Sequence, residues 1–202
     1  MQLYSTNDPA LRVNLREAIF QGLPADKGLF MPVSIPKMPA AFVANLHQYS
    51  FQEIAFHVAH TLIGDEIPVS DLQQIVERAI VFPAPVVPLD ENTSILELFH
   101  GPSLAFKDFG ARFMAQTMSY FNQGSSEDLT ILVATSGDTG GAVAAGFFQT
   151  PGIRVVILYP SGKVSPLQEK QLTTLGHNIT ALEVAGTFDD CQALVKQAFW
   201  DE

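Results

Sequence analysis

The chain has 202 residues, 47% of them hydrophobic and 16% charged, with a formal net charge of −10. That is enough apolar material for a packed core in one large or two small domains, and it excludes a disordered tail. An acidic balance without any basic patch excludes a nucleic-acid binder, because neutralising phosphates takes clustered Lys and Arg, and it means a small anionic substrate would need a local positive site.

The opening stretch, Met1 to Asn7, has no charged region followed by an apolar core, so no signal peptide is expected. Three helix starts follow. Asn14 lies three residues before Glu17 and opens a helix over 15–21 that Gly22 stops. Ser50 with Glu53 opens one over 51–63, closed by Gly64, and Ser70 with Gln73 opens another that runs to about Ile80. The apolar spacing of Ile54, Val58 and Leu62 predicts one buried face on the second. Residues 1 to about 80 therefore read as mainly helical, with a Pro-rich loop from Pro32 to Pro39.

Phe82-Pro-Ala-Pro-Val-Val-Pro88 is a joint, since successive prolines disfavour both helix and interior strand. It divides the chain into an expected helical domain, 1–82, and a second part, 83–202. Beyond the joint, short β-branched or apolar runs at 129–134, 155–159 and 179–184 read as buried strands. Helices are expected at about 106–121, at 139–148, from Ser165 to Gly176 with Pro166 at the first helical position and Gln168 completing the box, and after Thr187 with Asp190 at the capping-box position. This alternation predicts an α/β fold with a parallel sheet and helical crossovers. No apolar run is long enough for a membrane span. The only cysteine, Cys191, excludes an internal disulfide, reads as a small buried side chain, and agrees with a reducing cytoplasm.

Two clusters bear chemistry. In the first, Lys107 stands where the loop His100-Gly-Pro-Ser-Leu-Ala-Phe106 enters a helix, flanked by Phe106 and Phe109. A helix N-terminus and apolar neighbours both disfavour an ammonium and favour the neutral amine that a Schiff base needs. The plain alternative is a solvated lysine paired with Asp108. The second cluster, Thr135-Ser-Gly-Asp-Thr-Gly-Gly141, lies between a strand and a helix, where backbone amides form an anion site beyond the carboxyl end of a parallel strand. The alternative there is a tight turn capped by Asp138 or Thr139. The loop fits neither the P-loop nor the dinucleotide-binding glycine pattern. Asp138-Thr-Gly140 matches an aspartic-protease triplet, but its strand–loop–helix setting does not suit an all-β protease. His57 and His60 share a helix face, yet with no third ligand type nearby no metal site is expected.

His100-Gly-Pro-Ser-Leu-Ala-Phe-Lys-Asp-Phe109 followed by Thr135-Ser-Gly-Asp-Thr-Gly140 resembles the paired signatures of threonine synthases. Gly22-Leu-Pro-Ala-Asp-Lys-Gly-Leu-Phe-Met-Pro32 and Leu158-Tyr-Pro-Ser-Gly-Lys-Val-Ser-Pro-Leu-Gln-Glu-Lys170 extend the likeness, in order, over essentially the whole chain. The resemblance implies a fold type II pyridoxal-phosphate enzyme: a mainly helical N-terminal region, then part of a parallel-sheet α/β domain of the tryptophan synthase β-like architecture. It implies pyridoxal 5'-phosphate as cofactor, O-phospho-L-homoserine and water as substrates, and L-threonine and phosphate as products.

Lys107 matches the family's Schiff-base lysine, and once freed by the substrate amine it is the base for the α-proton. Thr135, Ser136, Gly137 and Thr139 match the segment that holds the substrate carboxylate. Asp138 matches the cofactor-binding position of that segment, which faces the cofactor's phenolic oxygen and where the wider fold type commonly has Asn. Lys163 is either a partner for the substrate phosphate or a solvated loop lysine, and His100 either lines the pocket or makes a structural hydrogen bond. The family's later Gly/Asn-rich cup for the cofactor phosphate and its residue facing the pyridine nitrogen find no match here. The chain alone is therefore expected to be an inactive N-terminal portion. A related phospho-lyase and a non-catalytic binding module are the alternative readings. Neither nucleic acid nor membrane is expected as a partner, and the sequence does not set the oligomeric state.

Overall fold

The structure is a computed structural model that describes residues 1–199. The chain divides into two compact units, Met1–Ile80 and a second from Val81 onward.

The first unit contains a small sheet that the sequence did not announce. Strand β1 (Gln2–Ser5) lies between β2 (Arg12–Asn14) and β3 (Phe30–Pro32), antiparallel to both, with Leu3 opposite Val13 and Pro32. Strands of three or four residues are too short to display a period-two pattern, which is why a mainly helical reading overlooked them. The turn before β3 winds around Asp26, whose Oδ1 accepts from Ser5 Oγ at 2.7 Å and from the Gly28 amide at 2.9 Å. These bonds, the Ser5 one foremost, hold its carboxyl below the ordinary carboxylate range.

Asn14 ends β2 and caps α1 (Leu15–Gln21): its side chain accepts from the Glu17 amide, and Glu17 reciprocates to the Asn14 amide. A short α2 (Ala40–Ala44) precedes α3 (Phe51–Ile63), which has the Ser50–Glu53 capping box and stops at Gly64 in the left-handed region, φ 66°. Helix α4 (Val69–Ala79) buries Leu72, Ile75, Val76 and Ala79. Its start differs from expectation. Ser70 is already inside the helix, because Pro68, with φ fixed at −52°, occupies the cap and supplies a carbonyl to the Leu72 amide. The expected buried face of α3 is not found, since Val58 and Leu62 are exposed; His57 instead packs among aromatic rings, its centroid 4.7, 5.4 and 5.7 Å from those of Phe42, Tyr49 and Phe56.

The second unit begins with a hairpin, β4 (Val86–Pro88) paired antiparallel with β5 (Ser94–Leu96). The proline-rich joint thus includes a strand, tolerated because only one neighbour pairs with it. Then follow α5 (Lys107–Phe121), β6 (Leu129–Ala134), α6 (Asp138–Phe147), β7 (Ile153–Pro160), α7 (Pro166–Thr173), β8 (Ile179–Val184) and α8 (Phe188–Ala198). The three strands form a parallel sheet ordered β6-β7-β8, with Ala134 opposite Leu158 and Leu158 opposite Leu182, so their carboxyl ends share one edge. This is the α/β arrangement that the alternating pattern predicted.

The core lies on the central strand. Ile153, Val155 and Ile157 are 2%, 0% and 0% exposed, and Phe147, Leu172 and Cys191 on the helices are buried as well. Each such large apolar side chain contributes roughly 1.5–3 kcal/mol. Burial, seconded by the Asp190 charge, pushes the Cys191 thiol up. Helices α5 and α6 approach closely because Gly146 meets the Ala111 backbone, with 3.0 Å available where a Cβ would stand. Thr187 and Asp190 form a complete capping box on α8. On α7 the box is incomplete: Ser165 accepts from the Gln168 amide, but its hydroxyl also donates to Gln168 Oε1, and the helix ends at Thr173 with Thr174 as its C-cap, before Gly176. Among the described residues no helix is long and apolar enough to cross a membrane.

Candidate active site

Two loops of the second unit converge at the N-termini of α5 and α6. Lys107 is the first residue of α5, and its Nζ donates to Asp138 Oδ2 at 3.0 Å, Asp138 being the first residue of α6. The side chains are 33% and 52% exposed, so this is a solvent-accessible ion pair. The Lys107 hydrogen bond is the chief reason the Asp138 carboxyl lies below its usual range; burial opposes it, and the Thr139 amide assists. Lys107 Nζ also lies 5.2 Å from the Phe106 ring centroid.

The neighbouring aspartate is not the partner of Lys107. Asp108 is fully buried, and its carboxylate accepts from the Ser103 amide at 2.9 Å and from Ser103 Oγ at 2.6 Å. The loop Gly101–Phe106 folds over it. Gly101 has no room for a Cβ against the Asp108 side chain, and Leu104 takes a left-handed φ of 61° while its amide donates to the Gly101 carbonyl. Sequence reasoning missed this arrangement. The available signal was a Gly-Pro-Ser turn five residues ahead of an aspartate in a helix's first turn, where a carboxylate suits the dipole.

The second loop is organised by Thr135, which is 1% exposed. Its Oγ1 accepts from the amides of Gly137 at 3.0 Å and Gly140 at 2.8 Å, drawing the chain from β6 into α6. Gly137 sits at φ 144°, ψ −87°, with Gln168 of α7 where a side chain would go. Only glycine meets both demands. Ser136 and Asp138 are exposed and Thr139 is half-buried.

Lys163 is exposed in the turn after β7, at the same edge of the sheet; among the described residues it makes no ion pair. His100 Nε2 lies 2.7 Å from Glu97 Oε2, and its ring stacks on Phe99. The structure thus joins Lys107 to Asp138, sets Thr135, Ser136, Gly137 and Thr139 in the adjoining turn, and gives His100 a local partner.

The threonine synthase N-terminus model matches residues 2–80, and the pyridoxal-phosphate dependent enzyme model matches residues 79–201. Threonine synthase of Escherichia coli (strain K12) is 48% identical over 202 residues, spanning 100% of this chain and 47% of its own length. The crystal structure of Escherichia coli threonine synthase superposes with a TM-score of 0.89, covering 100% of this chain and 47% of that one at 48% identity. The crystal structure of PLP-bound threonine synthase from Brucella melitensis gives 0.91 at 40% identity, covering 100% and 45%. The chain spans about half the length of the curated relatives it matches.

Proposed function

We propose that this chain, which belongs to the family of pyridoxal-phosphate-dependent enzymes, supplies the N-terminal part of a threonine synthase, converting O-phospho-L-homoserine and water into L-threonine and phosphate. The observation that carries this reading is the Lys107 amine, 3.0 Å from Asp138 at the junction of two helix N-termini, in a chain similar to threonine synthases along its whole length. Residues 1–82 are taken as the N-terminal domain and 83–202 as the first part of the catalytic domain.

Pyridoxal phosphate needs a reachable primary amine and a polar group beside it. Lys107 and Asp138 fit both needs, each with a side chain at least 33% exposed. Bound there, the cofactor supplies the electron sink that acidifies the substrate's Cα–H and lets phosphate leave. Lys107 Nζ anchors the cofactor and, once displaced, is the base that takes the Cα proton and returns it. Asp138, which accepts from the Lys107 amine, would hold that amine in place and serve as the polar group beside the bound cofactor. Thr135, Ser136, Gly137 and Thr139 form the turn that receives the substrate carboxylate, Ser136 and Thr139 through their hydroxyls, while the Thr135 hydroxyl, holding the Gly137 and Gly140 amides, keeps that turn in shape from beneath. Lys163, on the same sheet edge, offers the positive charge that the substrate phosphate needs in an acidic protein.

A half-exposed pair does not exclude water, and catalysis of this kind draws on a closed site. The 202-residue chain by itself is therefore expected to bind cofactor weakly and not to turn over substrate. A single, buried thiol suits a reducing cytoplasm.

Product analysis tests the reading. The full chain, meaning the full-length synthase to which these 202 residues are proposed to contribute the N-terminal part, supplied with pyridoxal phosphate and O-phospho-L-homoserine should release threonine and phosphate. Release of 2-oxobutyrate instead would assign a phospho-lyase. No product and no covalent capture of the cofactor would make it a binding module.

A further inference from the structure

A fully buried aspartate stands immediately after the half-exposed Lys107, and no proposed contact to cofactor or substrate explains it. A buried carboxylate is costly unless its oxygens are matched by donors. Among the described residues, Ser103 supplies two such donors, its amide and its hydroxyl. Gly101 gives up its Cβ to let the carboxylate in, and Leu104 adopts the left-handed region to close the loop. Gln171 of α7 adds a bond to the Ser103 carbonyl at 3.4 Å. Helix α5 has no side-chain cap at Phe106; the Asp108–Ser103 clasp instead ties its first turn to the preceding loop.

We propose that Asp108 is a positioning residue: clasped by Ser103, it fixes the rotation of the first turn of α5 and thereby aims the Lys107 amine at the turn before α6. Successive residues on an α-helix point about 100° apart. With Asp108 locked inward under the loop, Lys107 has one direction left, toward Asp138. A lysine at the first helical position is opposed by the helix dipole, and the adjoining carboxylate offsets that field. The inference rests on Lys107 being the cofactor's anchor.

Reductive labelling of the full chain separates the two claims. The unprotonated Lys107 amine adds to the aldehyde carbon of pyridoxal phosphate, one water leaves, and borohydride delivers hydride to the resulting C=N bond. Mass spectrometry then compares the label on Lys107 with that on Lys170, an exposed lysine of α7. In the wild type Lys107 should dominate; equal labelling there would overturn its role as anchor, and this proposal with it.

Given that dominance, Asp108→Ala should lower the rate at Lys107 relative to Lys170 by about tenfold, since a misplaced reacting group loses its orientation advantage. Asp108→Asn can still accept from the Ser103 amide and donate to its hydroxyl, so it should recover to within about twofold of wild type. Ser103→Ala, the milder variant, should fall between and serves if Asp108→Ala does not fold. A general loss of structure would move both lysines together. An unchanged Lys107-to-Lys170 ratio in the alanine variants, or an Asp108→Asn no better than Asp108→Ala, would overturn the proposal.

Discussion

The loops leading into α5 and α6 are each folded around one buried polar side chain, but the two anchors sit on opposite sides of their loops. Thr135 precedes its turn, at the end of β6, and gathers the Gly137 and Gly140 amides beneath a small, mostly backbone surface. Asp108 follows its loop, inside α5, and clasps Ser103 behind it. An anchor before the loop shapes a receptor for a ligand. An anchor within the helix sets the direction of a neighbouring side chain. The α6 loop thus presents Ser136, Asp138 and Thr139, whereas the α5 loop presents one amine.

Breaking each side should have different consequences. Lys107→Ala removes what the α5 loop exists to aim, and turnover by the full chain should fall to background; substantial residual threonine formation would refute the anchor role. Thr135→Val keeps the shape but leaves two buried amides without an acceptor, costing about 2–3 kcal/mol. Urea unfolding should show it as a lowered midpoint at unchanged slope. Asp108→Ala strands the Ser103 amide and should cost about 2 kcal/mol by the same measurement, with Asp108→Asn much milder.

The smallest effect belongs to Asp138→Asn, because an exposed ion pair contributes less than about 1 kcal/mol. Its signature is in pH rather than stability. The folded state depresses the Asp138 carboxyl, so its contribution is present above the ordinary carboxylate range and is lost as pH falls through the depressed value. In a carboxyl titration followed by NMR, Lys107→Ala should move Asp138 back toward that ordinary range.

The local parts of this arrangement were legible in the sequence. Asn14, Ser50 and Thr187 announce their helices because a cap and its reciprocating carboxylate lie three residues apart. Strands β6 and β8 match their apolar runs, and β7 only extends past its run at both ends. What stayed hidden depends on contacts that spacing does not encode. The small sheet of β1, β2 and β3 is one case, since its strands are too short to show alternation. The pairing of Lys107 is the other. Adjacency nominated Asp108, yet the observed partner lies 31 residues on, and Asp108 turns away to a serine five residues back. Neighbours on a helix diverge by about 100°, so the residue beside a lysine is poorly placed to meet it.

The central claim is that Lys107 anchors pyridoxal phosphate, and peptide mapping of the wild-type full chain after incubation with the cofactor and borohydride tests it most directly. A single dominant phosphopyridoxyl peptide bearing Lys107 is the predicted result. Label spread evenly over the lysines, or concentrated on Lys163 or Lys170, would contradict it.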